Sequence, residues 1–296
     1  MNPTFTRRSI LVTIVLACVA PHWSCASKNA GKSARAEEPS LAAPALENPA
    51  QAAKPTEPTP SAPPLGPPTR VLFIGNSYTF YNGGVDAVVA ALARAKGKNL
   101  ECSTSVSGGK TLEWHWEEGA ARAAIARGGW DYVVLQDLST RPLTDEPAML
   151  KYAKLFDTEI KNAGAKTVLF LTWARFHQPE NQRVITRAYD AVAKEVNALV
   201  ARVGPAWERV IEQRPGFKLH MDDRSHPTPA GTYLAACVFY AALTGDSPEG
   251  LPATVTTANG KTIGLDPADA KLLQRAGALA SSNAAPSKSS SSSPND

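Results

Sequence analysis

Apolar and polar positions divide the chain into a patterned middle and two unpatterned ends. Between residues 70 and 245, short unbroken apolar runs alternate with longer stretches whose apolar residues recur every three or four places. Residues 71–74, 131–136 (DYVVLQ) and 166–172 (KTVLFLT) are runs of strand length, and Leu100–Val106 alternates weakly as a further strand. Residues 85–96 (VDAVVAALARAK) keep helical spacing and end at Gly97. The same spacing predicts helices over 112–126, stopped by Gly128-Gly129, and over Glu146–Asn162, stopped by Gly164. It further predicts one long helix over 179–203 and an apolar helix over Pro229–Thr244, stopped by Gly245. Strands alternating with helices of this length argue for an α/β fold with a mostly parallel sheet covered on both faces.

The ends lack this pattern. The first 25 residues carry Arg7 and Arg8, an apolar run over 10–20 and then small residues, the layout of an export signal. Thr6-Arg7-Arg8-Ser9-Ile10-Leu11 resembles a twin-arginine signal. Trp23-Ser24-Cys25 resembles a bacterial lipobox with His22 out of place, so Cys25 is a candidate for lipidation. Both routes place the protein outside the cytoplasm: periplasmic, secreted, or lipid-anchored to the bacterial envelope. Residues 26–69 are rich in Ala, Pro, Ser, Glu and Lys and read as a disordered linker; residues 281–296 read as a disordered Ser-rich tail. One domain is expected over 70–280.

Charge and cysteine content remove several classes of function. The formal net charge of +4 becomes +2 when Arg7 and Arg8 are set aside, and no basic block interleaved with aromatics offers a nucleic-acid footprint. Outside the leader two cysteines remain, Cys102 and Cys237, which could pair or stay as free thiols. No CxxC or clustered Cys/His spacing supports a metal site, and no cofactor or protein partner is indicated.

The candidate chemistry lies where strands end. VLFIGNSYTF, residues 71–80, runs four apolar residues straight into Gly-Asn-Ser. In parallel sheets ligands sit outside the carboxyl ends of the strands, so Ser77 occupies a place suited to a nucleophile or to a phosphate site. A serine hydroxyl needs an imidazole to take its proton, and the imidazole needs an acceptor on its other nitrogen. Asp223 and His226, three residues apart in DDRSHP, could supply both from one loop; equally, Asp223 could cap a turn and His226 merely precede Pro227. Asp222 is set aside on spacing alone.

GNS after the first strand, Ser-Gly-Gly after the second and Asp-x-x-His-Pro before the last helix resemble, in that order, the SGNH (GDSL-like) hydrolase superfamily. VLFIGNSYT, SVSGGKTLEWHW, WDYVVLQD and HPTPAGTYLAACVFYAALTG look especially like its extracytoplasmic bacterial members. The resemblance spans about residues 70 to 246 and implies a flavodoxin-like three-layer α/β/α sandwich. It implies Ser77 as nucleophile, His226 as general base and then acid, and Asp223 as the residue orienting His226. The oxyanion hole would be the N–H of Ser77, the N–H of Gly108 (with Gly109 as the alternative) and a carboxamide after the third strand. That third donor departs from the family's asparagine: Gln136 stands there, able to reach the oxyanion or to bond the loop. His115, Trp173 and Arg175 are candidates for the substrate rim, while His115 between two tryptophans also suits a packed position. The activity implied is ester hydrolysis through an acyl-enzyme, with acetyl esters of carbohydrates or related small molecules as substrates. The alternatives are a non-catalytic glycan-binding module and an O-acetyltransferase using the same triad.

Overall fold

The computed structural model describes residues 65–282, so the leader, most of the linker and nearly all of the Ser-rich tail lie outside the described residues. The elements run β1 (Thr69–Gly75), α1 (Ser77–Phe80), α2 (Val85–Ala95), β2 (Leu100–Val106), α3 (Leu112–Glu118), α4 (Ala120–Ala126) and β3 (Tyr132–Leu135). They continue with α5 (Arg141–Thr144), α6 (Glu146–Asn162), β4 (Lys166–Leu171), α7 (Gln182–Val196), β5 (Leu199–Arg202) and α8 (Val203–Gln213). The last are α9 (Pro229–Thr244), β6 (Thr254–Thr256), β7 (Thr262–Gly264) and α10 (Pro267–Ser282).

β1 to β5 form a parallel sheet in the order β2-β1-β3-β4-β5, and β6-β7 make a separate antiparallel hairpin. The strands read as unbroken apolar runs because each face has its own core. Val71, Phe73, Val134, Val168 and Phe170 point to one side, against Leu92 of α2, Val210 of α8, Phe239 of α9 and Leu273 of α10. Leu72, Ile74, Val133, Leu135 and Leu169 point to the other, against Ile125 of α4, Phe156 of α6 and Tyr189 of α7. The result is the three-layer α/β/α sandwich expected from the sequence. α9 is apolar on nearly all sides because it lies between the sheet and α10.

Two predicted helices are corrected. The stretch 112–126 breaks into α3 and α4 at Gly119, whose φ of 89° ends the first helix in a left-handed cap. The long helix over 179–203 is in fact a 3-10 turn, α7 and the edge strand β5. Val192, Val196, Val200 and Val203 keep helical spacing right across the break. Asn197, at φ 50° and ψ 49°, stops α7 in the left-handed conformation that asparagine tolerates better than most side chains. α8, β6, β7 and α10 were not anticipated.

Cys102 and Cys237 are free thiols, and burial pushes both well above the ordinary thiol range. Cys102 lines a cavity of about 470 Å³ with Asp86, Arg94, Leu100 and Thr257. There burial pushes the Asp86 carboxyl up to about 6, against the opposing N–H groups of Ala87 and of Asp86 itself. A carboxyl with a raised folded pKa favours the fold most at low pH, and that contribution is lost as pH rises through about 6. Asp86→Asn is therefore expected to gain about 1–2 kcal/mol of stability near pH 7.5. Chemical denaturation at two pH values checks this, because the gain should vanish near pH 4.

Candidate active site

Everything distinctive about the site begins at the end of β1. Asn76 caps α1, its side-chain oxygen accepting the Tyr78 N–H at 3.3 Å, and this places Ser77 at the first helical position, partly open to solvent. Gly75 is required by close approach: a Cβ there would lie 2.6 Å from Gln136 Oε1 and 2.8 Å from Thr79 Oγ1. The strand therefore ends in the one residue that lets a buried glutamine pack beneath the turn.

Opposite Ser77 stands the loop between α8 and α9. Ser77 Oγ lies 2.8 Å from His226 Nε2, and His226 Nδ1 lies 2.5 Å from Asp223 Oδ2. A carboxylate only accepts, so the ring proton sits on Nδ1 and Nε2 accepts from the serine hydroxyl. Asp223 Oδ1 accepts the backbone N–H groups of Ser225 and His226, each at 2.9 Å. Burial would raise the Asp223 carboxyl, but the bond from the His226 ring and the two N–H bonds outweigh it and hold the carboxyl below its ordinary value. The turn-capping reading of Asp223 and the imidazole-orienting one are thus both realised, one on each oxygen.

The loop is held in a costly shape. Arg224, between the two, sits at φ 62°, a conformation worth about 1–2 kcal/mol against a non-glycine residue. Its N–H bonds the Met221 carbonyl at 2.9 Å and its carbonyl accepts from Phe176 N–H at 3.0 Å. Next to it, Ser225 Oγ meets the Tyr78 hydroxyl at 2.8 Å and the Ser225 carbonyl accepts from Trp173 Nε1 at 3.0 Å. Tyr78, Trp173 and Trp207 stack in parallel, at 4.5 Å and 4.2 Å between successive ring centroids. Tyr78, Trp207, Ser225 and Arg224 were not anticipated from sequence; the signals available were Tyr78 directly after Ser77 and the position of Arg224 and Ser225 between Asp223 and His226.

One expectation is corrected here, and two residues open to either a site role or a packed one are found packed. Trp173 is not on a rim: it is buried in this stack beneath the loop. His115 is also buried, its Nε2 bonded to the Gly75 carbonyl at 2.8 Å, and burial lowers its pKa against the opposing carbonyl. Only Arg175 of the three rim candidates is exposed. Gln136 takes the loop-bonding alternative. It is fully buried, and its Oε1 accepts the Asn76 N–H at 2.9 Å and the Thr79 hydroxyl at 3.1 Å. Its amide nitrogen donates to Asn76 Oδ1 at 3.0 Å and to the Asp137 carbonyl at 2.5 Å. Both N–H bonds are spent on the turn, so Gln136 is a latch and has no donor left for an oxyanion.

The backbone donors are differently placed. Two residues beyond the last β1–β2 pairing, Gly75 with Val106, the two chains reach Ser77 and Gly108. The Gly108 Cα faces the tip of Phe80, 3.7 Å from where a Cβ would be. Among the described residues neither the Ser77 nor the Gly108 N–H has an intramolecular acceptor. Gly109 takes the turn, at φ 68°. No group of three His, Cys, Asp or Glu among the described residues could hold a metal, and no helix among them is long and apolar enough to cross a membrane.

No family model and no curated protein matches the chain. Solved structures do. A Slackia heliotrinireducens protein assigned to the SGNH hydrolases is 26% identical over 59% of this chain and 98% of its own, with a TM-score of 0.51. A DUF4886 family protein from Bacteroides uniformis, 21% identical over 72% of this chain and 95% of its own, shares the fold with a TM-score of 0.59. Strand order, the order of the motifs along the chain and the likeness to the Slackia protein agree, and the chain belongs to the SGNH (GDSL-like) hydrolase superfamily.

Proposed function

We propose that the protein is a serine esterase that hydrolyses esters, acetyl esters of carbohydrates or related small molecules first among them, through an acyl-enzyme on Ser77. The observation that carries this reading is the unbroken chain of hydrogen bonds from Ser77 Oγ through His226 to Asp223. Ser77 Oγ attacks the ester carbonyl carbon while His226 Nε2 takes its proton, and the charge that gathers on the carbonyl oxygen is met by the N–H groups of Ser77 and Gly108. The intermediate collapses as His226 returns the proton to the leaving alkoxide, which departs as the alcohol. Water then gives a proton to His226 and its hydroxyl to the acyl carbon, and as the bond to Ser77 breaks His226 passes that proton to Ser77 Oγ, releasing the acid and restoring the serine. Asp223 stays ionised throughout and holds the Nδ1–H. The carbohydrate part of the proposal follows the resemblance to extracytoplasmic members and the export signal read in the first 25 residues, which also motivates the proposed location in the envelope or outside it.

The commitment of Gln136 to the turn favours one second reading, a glycan-binding module on the same fold that has lost an oxyanion donor. Labelling with a fluorophosphonate separates the two. Wild type should label at Ser77 and Ser77→Ala should not; an unlabelled wild type, or equal labelling of the variant, sinks the esterase. A panel of acetylated sugars, acetylated xylan and short aryl esters then ranks substrates, and a sugar acceptor added to the panel reports any acyl transfer.

A further inference from the structure

Serine triads usually keep the orienting carboxylate buried, where water cannot compete for the imidazole. Here the Asp223 side chain is 44% exposed and that of His226 24%. A bond between such groups is open to exchange with solvent and is by itself a weak orienter. Something else must hold the ring.

The turn after α1 supplies it. Tyr81 lies flat on the His226 imidazole, ring centroids 4.1 Å apart and planes 13° from parallel, while Tyr78 meets the same ring edge-on at 5.7 Å. The next residue, Asn82, donates from Nδ2 to the Pro227 carbonyl at 2.8 Å and to Thr232 Oγ1 at 2.9 Å. Asn82, Gly83 and Gly84 all have positive φ, at 54°, 92° and 96°. Three such residues in a row fold the chain back sharply, bringing the segment that carries the serine against the segment that carries the histidine. The turn is braced from behind, with Asn259 Nδ2 donating to the Gly83 carbonyl at 3.1 Å and the Lys261 stem against Gly83.

We propose that Tyr81 and Asn82 are positioning residues that hold His226 in register with Ser77, Tyr81 by stacking on the ring and Asn82 by tying its backbone segment. The electron-rich face of Tyr81 also favours the imidazolium that forms when the serine proton is taken. In its kinetic part this proposal rests on the esterase reading; in its structural part it does not. Two readouts separate the two parts.

The first is proton NMR of the downfield Nδ1–H of His226, identified by its absence in His226→Gln. It should persist in wild type and Tyr81→Phe and broaden away in Tyr81→Leu, because the uncovered ring turns and exchanges with water. Unchanged persistence in Tyr81→Leu overturns the proposal, whatever the protein's activity. The second is kinetics on the best ester of the panel. Tyr81→Leu should lose about ten-fold in kcat with KM little changed, and Tyr81→Phe should recover most of it. Asn82→Gly keeps the positive φ while removing both donors, and should lose about five-fold in kcat per labelled site. Loss in Tyr81→Phe equal to that in Tyr81→Leu, or unaltered kcat in both Tyr81→Leu and Asn82→Gly, counts against positioning. A wild type that cleaves no ester fails the esterase reading alone, and the NMR result still decides Tyr81.

Discussion

His226→Gln should lower the kcat of ester hydrolysis by about 10⁴- to 10⁶-fold while KM and the melting temperature stay close to wild type. The reason is geometric. His226 Nε2 is the only imidazole nitrogen bonded to Ser77 among the described residues, and glutamine cannot carry a proton from the serine to a leaving oxygen. The substitution leaves the loop's frame intact, because Asp223 Oδ1 still accepts two backbone N–H groups and the Ser225 carbonyl still meets Trp173. What remains is the rate given by the backbone donors and by binding alone. Steady-state rates on an acetyl ester, with active sites counted by mass, check the prediction. A loss below a hundred-fold would mean that another base serves Ser77.

Gln136→Leu should do the opposite: destabilise strongly without entering the chemistry directly. The glutamine has no solvent exposure and bonds Asn76 in both directions, N–H to Oε1 and Nε2 to Oδ1. Leucine fills a similar volume but leaves the Asn76 N–H unpaired in a dry site and the Asp137 carbonyl with one donor fewer. Each such orphan costs about 1–3 kcal/mol, so a total of about 3–5 kcal/mol is expected by urea denaturation. Had Gln136 been an oxyanion donor, the same change would have spared stability and cut kcat. Stability and turnover measured on one variant therefore tell the two roles apart. The same accounting explains why Gly75 cannot carry a side chain: the glutamine already occupies the space a Cβ would need.

Much of this was legible from local pattern. The apolar runs of β1, β3 and β4, the helices α2, α6 and α9, and the parallel arrangement all follow from spacings within a dozen residues. The candidate triad came from the resemblance carried by the three motifs in order, with Ser77 two residues past the end of β1. What escaped depends on partners far along the chain. A carboxamide at 136 looks the same whether it faces a ligand or pairs with Asn76, sixty residues away. Trp173 follows the carboxyl end of β4, and only the stack with Tyr78 and Trp207 shows that its ring turns inward. β5 was hidden by valines whose spacing stayed helical, and its true beginning rests on one left-handed asparagine. Gly119 was a visible breaker inside a helical pattern; glycine also occurs within helices, and its φ settles the matter only in three dimensions.

The placement of Asp223 and His226 on one four-residue turn has a consequence for how the site is inherited and lost. The bonds between them are made within the turn, but the turn itself is braced from Tyr78, Trp173 and Phe176. Ser77 is 149 positions away. The candidate triad therefore divides into a short cassette, Asp223 with His226, and a set of long-range contacts that shape the turn and bring it to Ser77. Insertions or drift in the intervening chain can uncouple Ser77 from the pair while the bond between Asp223 and His226 stays in place.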